Sequence, residues 1–423
     1  MRKYSEPLMA AVDQGVSSGT NFGLMVIAVR TLSPSAFGVF SIIFAVYVLL
    51  AGLSQGVASA PFTIRYGAST EPERLKAQAG PYGAAAAIGF ASMALIAATA
   101  VFVPIHREAL WILAVAMPAL LVQDCYRFVC VAGGRPTAAL SNDLIWAAVQ
   151  TVVILSAIAL HGMSLGAIVL AWALGATVAA AAGCLEAHVL PNFKTGFTWV
   201  RNQLDLSARY GVEALVIRGW APISQGIIAV AIGLAALGDL RAAQVIFSVF
   251  NFVFVGALFA LVPWIVRQVP SGRWIGVACA ISTGLGLLVI LWAGVVILNP
   301  ASIVAFVFGG SYGHAYPLLI AVAVQMMAIA ASLGPQAVLR ASGSARLTVR
   351  LQVANAAILV AASAVAVFHL SVAAIAWSLA LGSVVATVAW WLAVAFSAKS
   401  AAFGSAHAAR QGSQDAVTVG TGL

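Results

Sequence analysis

The sequence predicts an all-α integral membrane protein of about twelve transmembrane helices in two six-helix lobes, and three observations predict it. Of 423 residues, 62% are apolar and 8% charged, against roughly one quarter charged in a soluble domain. The apolar residues gather in runs of about 20, the length at which a helix crosses a bilayer. The basic residues fall largely on one side of those runs. A chain this long can bury a sizeable core, but too few charged residues remain to coat its outside, so most of the surface must face lipid.

Runs bounded by Gly, Pro and charge place six spans near 9–29, 37–60, 82–104, 109–132, 138–160 and 164–185. Six more follow near 211–237, 242–266, 274–298, 316–340, 350–368 and 372–397. Barrel strands would be about half as long and would alternate with period 2, which these runs do not. The first run contains Asp13, Gln14, Ser17 and Asn21, lacks a cleavage site, and reads as a retained anchor. The N-terminus, the even-numbered connectors and the C-tail hold 16 of the 21 Lys and Arg. The odd connectors hold Arg30, Arg107 and Arg241, while Arg127 and Arg218 fall inside spans. This asymmetry puts both termini in the cytoplasm, and a single missed or invented span would erase it. The net charge of +9 is therefore a topology signal, and no nucleic-acid partner is expected.

The organisation that follows is an N-terminal lobe (1–185), a cytoplasmic linker (186–210), a C-terminal lobe (211–397) and a disordered cytoplasmic tail (398–423). The linker mixes Phe193, Phe197, Trp199 and Leu204 with Lys194, Arg201 and Arg209, the composition of an interfacial amphipathic helix. The tail is Ser, Gly, Ala, Gln and Thr without an apolar stripe. Pro61 to Arg65 and Pro263 to Arg267 give PxxxR endings to the second and eighth spans. With six helices per half, such a repeat relates the lobes about an axis along the membrane normal, and the expected site is the cavity between them.

A charge inside a lipid-embedded helix costs about 2.5 to 3.5 kcal/mol on the insertion scale, so embedded polar residues usually face a partner or a wet cavity. Asp13, Gln14, Ser17, Thr20 and Asn21 share one face of the first span, which either lines a cavity or packs against other helices. Asp124 and Arg127 lie three apart in the fourth span and can neutralise each other, with Asn142 and Asp143 at similar depth in the fifth. The seventh span carries Glu213, Arg218 and Gln225, with Pro222 expected to kink it beside Arg218. Arg218 is the leading candidate, either lining the cavity or pairing privately with Glu213. Arg241, Gln244, Ser248 and Asn251 share a face of the eighth span, and Gln325, Gln336 and Asn355 are weaker candidates. No P-loop, GxSxG or HExxH is present, the six His have no metal-ligand spacing, and the four Cys read as packing residues. No enzyme activity, cofactor or metal is expected.

The stretch Asp13 to Arg65 resembles the opening of polysaccharide (O-antigen type) flippases in the multidrug/oligosaccharidyl-lipid/polysaccharide exporter (MOP) superfamily. Arg30-Thr31-Leu32-Ser33-Pro34-Ser35-Ala36-Phe37-Gly38 is similar to the family's R-x-L-S-P-x-x-F-G turn, and Phe308 to Ala315 to its FG-x-x-Y-x-x-A element. Leu339 to Arg346 resembles the short basic turn after the tenth helix. The resemblance implies a MATE-like pair of lobes related by pseudo-two-fold symmetry, alternating access, and a polyprenyl-linked glycan as substrate. It further implies cavity arginines on the lipid phosphates, a role carried over here to Arg218, Arg127 and Arg65. Membrane lipid, polysaccharide-assembly proteins and a coupling proton or sodium ion are the partners it suggests, at the plasma (inner) membrane. Twelve spans separate the chain from the fourteen-helix lipid II branch. Three readings follow from the sequence: a lipid-linked oligosaccharide flippase first, then a cation-coupled drug antiporter using Asp13, Asp124 and Glu213, and last a membrane glycosyltransferase or polymerase. The odd connectors are too short to house the chemistry of the last.

Overall fold

The computed structural model describes residues 2–104, 106–268, 273–308 and 313–419. Side chains at 2–12, 14, 259–260, 263, 267–268, 304, 345 and 398–419 lie outside that description. The described residues are helices joined by short turns, with no strand. α1 (Arg2–Thr31) ends at a turn where Ser33 caps the next helix, its hydroxyl accepting the Ala36 N–H while Pro34 takes the first helical position. α2 (Pro34–Ser54) runs through a π-helical segment (Gln55–Ser59) into α3 (Ala60–Tyr66). α4 (Glu71–Ala77) opens on a Thr70/Glu73 capping box and leads into α5 (Ala79–Phe102). α6 (Arg107–Ala132), α7 (Pro136–Ala159) and α8 (Leu165–Glu186) complete the first half.

The linker forms α9 (Phe193–Asn202), capped by the Asn192 side chain. Its Phe193 and Phe197 are exposed while Trp199 is buried, the split an interfacial helix requires. The second half comprises α10 (Leu204–Ala231), α11 (Leu234–Phe247), α12 (Val249–Gln268), α13 (Trp274–Leu298), α14 (Pro300–Phe308), α15 (Leu319–Ala341), α16 (Ala345–Val367) and α17 (Val372–Val419). Ten of these helical stretches among the described residues are long and apolar enough to span a bilayer, eleven when α11 and α12, bent by 53°, count as one. α1 stands at the position of the remaining expected span. The tail expected to be disordered (398–423) continues α17 as far as Val419, while its side chains, residues 420–423, the Gly309 to Tyr312 part of the second motif and the Gln14 side chain lie outside the described residues.

α10 runs through Pro222 as one helix. Departures from regular α-helix include the π segment at 55–59 and Ser248, where α11 turns into α12. The π segment is held by groups outside it, since the Ser207 hydroxyl donates to the Val57 carbonyl (2.8 Å) and the Trp199 indole to that of Ala58 (3.2 Å). A π turn shifts backbone carbonyls out of the i→i+4 ladder, and these two donors pair the displaced ones.

Packing within one half repeats in the other. α5 packs on α6, α6 on α8, α7 on α8 and α1 on α7; correspondingly α13 packs on α15, α15 on α17, α16 on α17 and α10 on α16. The lobes meet where α2 crosses α11 and where α2 and its π segment run along α10. At the first crossing the contact is reciprocal: a Cβ on Gly38 would strike the Leu234 carbonyl, and one on Gly238 would strike that of Pro34. Positions 34 and 38 thus exchange with 234 and 238, as a two-fold axis through the crossing demands. Only glycine allows two backbones this close. The outward faces carry Phe102, Val230 and Leu298, each more than 80% exposed, an arrangement suited to hydrocarbon and not to water.

Candidate functional site

The site grows from the α2 unit, whose apolar run is interrupted by Gly52, Gln55 and Gly56. Gly52 leaves room for the Arg218 side chain of α10, because a Cβ there would meet the guanidinium Nε and Nη1 at 2.8 and 2.9 Å. Arg218 reaches across the lobe boundary, donating Nη2–H to Gln55 Oε1 at 2.7 Å and Nη1–H to the Val48 carbonyl at 3.4 Å. Gln55 in turn donates from Nε2 to both carboxylate oxygens of buried Asp124, at 3.0 and 3.2 Å. A relay Arg218–Gln55–Asp124 therefore ties α10 to α6 through the first residue of the π segment. It stands in place of the Asp124 pairing with Arg127 that the sequence suggested, and of the two alternatives for Arg218 the structure has the side chain at the cavity and not paired with Glu213.

Arg127 pairs instead with Asp13 (2.9 Å) and Asp143 (3.3 Å), joining α6 to α1 and α7. Its side chain is 13% exposed and those of the two acids 2% and 3%. Gln123 donates to Asn142 and Asp143, and Asn142 donates to the Ala179 carbonyl. Three aspartates around one arginine give the N-terminal lobe an acidic interior. Asn21 spends its amide on the Ser17 carbonyl and lies beside Asp143 and Trp146 at a small crevice. Arg65 stands apart, in an exposed pair with Asp205 at 2.8 Å. Gln225 is buried, with Oε1 unpaired among the described residues.

Between the lobes lies a polar cavity of about 510 Å³, walled by the π segment and α3 on one side and by α10, α15 and α16 on the other. Arg218, Arg340, Gln55, Gln352 and Glu213 face it, so two guanidinium groups meet one carboxylate. Its residues sit in the half of the interface toward the basic connectors, whereas the opposite half is packed with buried Phe37, Phe40, Leu237 and Leu240. A second polar cavity of about 180 Å³ lies within the C-terminal lobe, where Trp220, Gln325, Gln336 and Asn355 line it without a charged residue. The lobes thus share a packing plan, but the first gathers aspartates around Arg127 while this cavity of the second is lined without charge.

Arg340, Gln55 and Gln352 were not singled out by the sequence. Arg340 is hidden among connector charges that report topology. Gln55 had a signal, an amide flanked by glycines inside an apolar run. Arg241, half-buried with Gln244 as its acceptor (2.7 Å), belongs to the α11 stripe read from the sequence.

Comparison with solved structures places this architecture. One similar structure is the lipid II flippase MurJ in an inward closed conformation, with TM-score 0.73 and 10% identity over 92% of this chain and 87% of that one. Another is an inward-facing multidrug resistance MATE family transporter of the MOP superfamily, with TM-score 0.72 and 13% identity over 92% and 95%. The fold is that of the MOP transporters. A further MOP superfamily transporter, from Pyrococcus furiosus, matches at TM-score 0.64 and 14% identity over 93% and 95%. No family model matches the sequence, and no curated protein does. The chain is a multi-pass membrane protein of the MOP fold, and the sequence resemblance to that superfamily agrees with its structural neighbours.

Proposed function

We propose that this MOP-fold protein flips a polyprenyl-pyrophosphate-linked oligosaccharide from the cytoplasmic to the outer leaflet, and that it is not an enzyme. The observation that carries the reading is the cavity between the lobes, where Arg218 and Arg340 outnumber the single carboxylate of Glu213. Guanidinium groups bind phosphate through paired, charge-assisted hydrogen bonds, and a cavity with excess positive charge favours an anion over a drug cation. The amides and indoles of the C-terminal cavity suit neutral sugar hydroxyls, and the lipid tail stays in the bilayer. In this reading the basic end faces the cytoplasm of an inner membrane. Alternating access then exposes the head group to each leaflet in turn, driven by differential stabilisation of the two lobe arrangements.

The acidic cluster of Asp13, Asp124 and Asp143 around Arg127 favours a second element, coupling to a proton or sodium ion. Taken alone, that cluster also supports a cation-coupled drug antiporter. Arg218→Ala separates the two: export of lipid-linked glycan stops at unchanged membrane abundance, and precursor accumulates. Full export by this variant refutes the phosphate role. Altered drug tolerance without precursor accumulation selects the antiporter.

A further inference from the structure

Beside the central cavity, a second cleft of about 490 Å³ opens between α10 and α16. Its mouth carries Arg209, Arg346 and Arg350. None of the three has an ion-pair partner among the described residues, and each is exposed. Below them the walls are apolar: Val212 and Val216 from α10 face Val349 and Val353 from α16. Glu213 and Ile217 line this cleft and the central cavity alike, so the two spaces adjoin across one turn of α10.

We propose that the α10–α16 cleft is a lateral binding site for a lipid bearing a phosphate or pyrophosphate head, and the portal by which that lipid reaches the central cavity. The proposal deepens the flippase reading and rests on it for the direction of movement. Three arginines against the single carboxylate of Glu213 leave the cleft with excess positive charge, and guanidinium geometry matches phosphate oxygens bidentately. Val212, Val216, Ile217, Val349 and Val353 offer a hydrocarbon chain an apolar surface, which a water-soluble anion would leave unfilled. The occupant is therefore amphipathic, with the head among the arginines and the chain against the valines. Moving inward past Glu213, the head exchanges the mouth arginines for Arg218 and Arg340.

The test measures binding of a radiolabelled long-chain polyprenyl pyrophosphate to the purified full chain in neutral detergent. Arg346→Ala with Arg350→Ala weakens binding about tenfold or more, the loss of at least one charge-assisted contact. Val216→Trp, which fills the apolar wall, weakens it comparably without removing a charge. Arg346→Lys with Arg350→Lys retains an intermediate affinity, which shows that the loss is one of charge and geometry and not of folding. Uncharged polyprenol and inorganic pyrophosphate each compete poorly. Unchanged affinity in the alanine pair and in Val216→Trp overturns the proposal, as does pyrophosphate competing as well as the lipid. Normal flipping by these variants while Arg218→Ala is inactive rejects the cleft and leaves the transport reading intact. Lipid held in the cleft of a parental protein that moves no lipid-linked glycan rejects the transport reading and leaves the cleft.

Discussion

Removing the Gln55 side chain should cost stability chiefly through Asp124, by an amount the geometry bounds. In Gln55→Leu the relay loses two links, the 2.7 Å bond from Arg218 and the bifurcated donation to Asp124 at 3.0 and 3.2 Å. A hydrogen bond to a charged group contributes roughly 1.5 to 3 kcal/mol, so the two together would reach about 3 to 6. Arg218, however, borders the 510 Å³ cavity, where water can replace the lost acceptor. Asp124 is 7% exposed and has no such replacement. The net loss is therefore dominated by the carboxylate and should be about 2 kcal/mol. Asp124→Asn removes the charge but keeps an acceptor, so adding it to Gln55→Leu should recover about 1 kcal/mol or more relative to additivity. Reversible denaturation of the four proteins in one detergent reads the cycle. Parental stability in Gln55→Leu, or additivity within about 0.5 kcal/mol, would refute the relay as a structural link.

Gly238→Val places side-chain atoms against the Pro34 carbonyl and should push the ends of α2 and α11 apart; spin labels at Ser33 and Ala235 should report a longer distance than in the parent. Arg127→Met leaves Asp13 and Asp143 buried with no counter-charge and should destabilise by about 3 kcal/mol or more, whereas Asp143→Asn, which leaves the Asp13 pair in place, should cost clearly less. Denaturation midpoints that reverse this order would contradict the shared pairing. Trp199→Phe frees the Ala58 carbonyl and should cost about 1 kcal/mol, with hydrogen exchange faster in the π segment than elsewhere in α2.

The helical architecture was legible because the bilayer imposes it locally: each span must satisfy its own backbone, so length and apolarity suffice to locate it. The helix in the linker was legible too, because Phe193 and Phe197 alternate with Lys194 and Arg201 at helical spacing, and α9 forms there. Partner choice was harder. Gln55 lies 69 residues from Asp124 and 163 from Arg218, and nothing in the run around it names either. Asp124 and Arg127, neighbours on one helix face, were expected to satisfy each other, yet acids on α1 and α7 compete for the same guanidinium at similar depth. Pro222 was expected to kink its helix, and α10 is continuous through it, while Gly56, packed against the Tyr210 carbonyl, lies in the π segment that no signal in the sequence announced. Arg65, given a phosphate role by the family resemblance, meets Asp205 near the end of the linker segment.

The reciprocal crossing of Gly38 and Gly238 also sets a mechanical ratio. A junction on the symmetry axis near one end of the molecule acts as a fulcrum, and the α2 unit extends from it toward Tyr66 as a lever roughly 40 Å long at 1.5 Å per residue. A tilt of about 10° at that pivot swings the far tip by roughly 7 Å, wide enough to admit or expel a sugar ring while the pivot itself hardly moves. Two backbones in contact, with no side chain between them, form a bearing with little play, so small torques near the fulcrum translate into large displacements at the basic mouth.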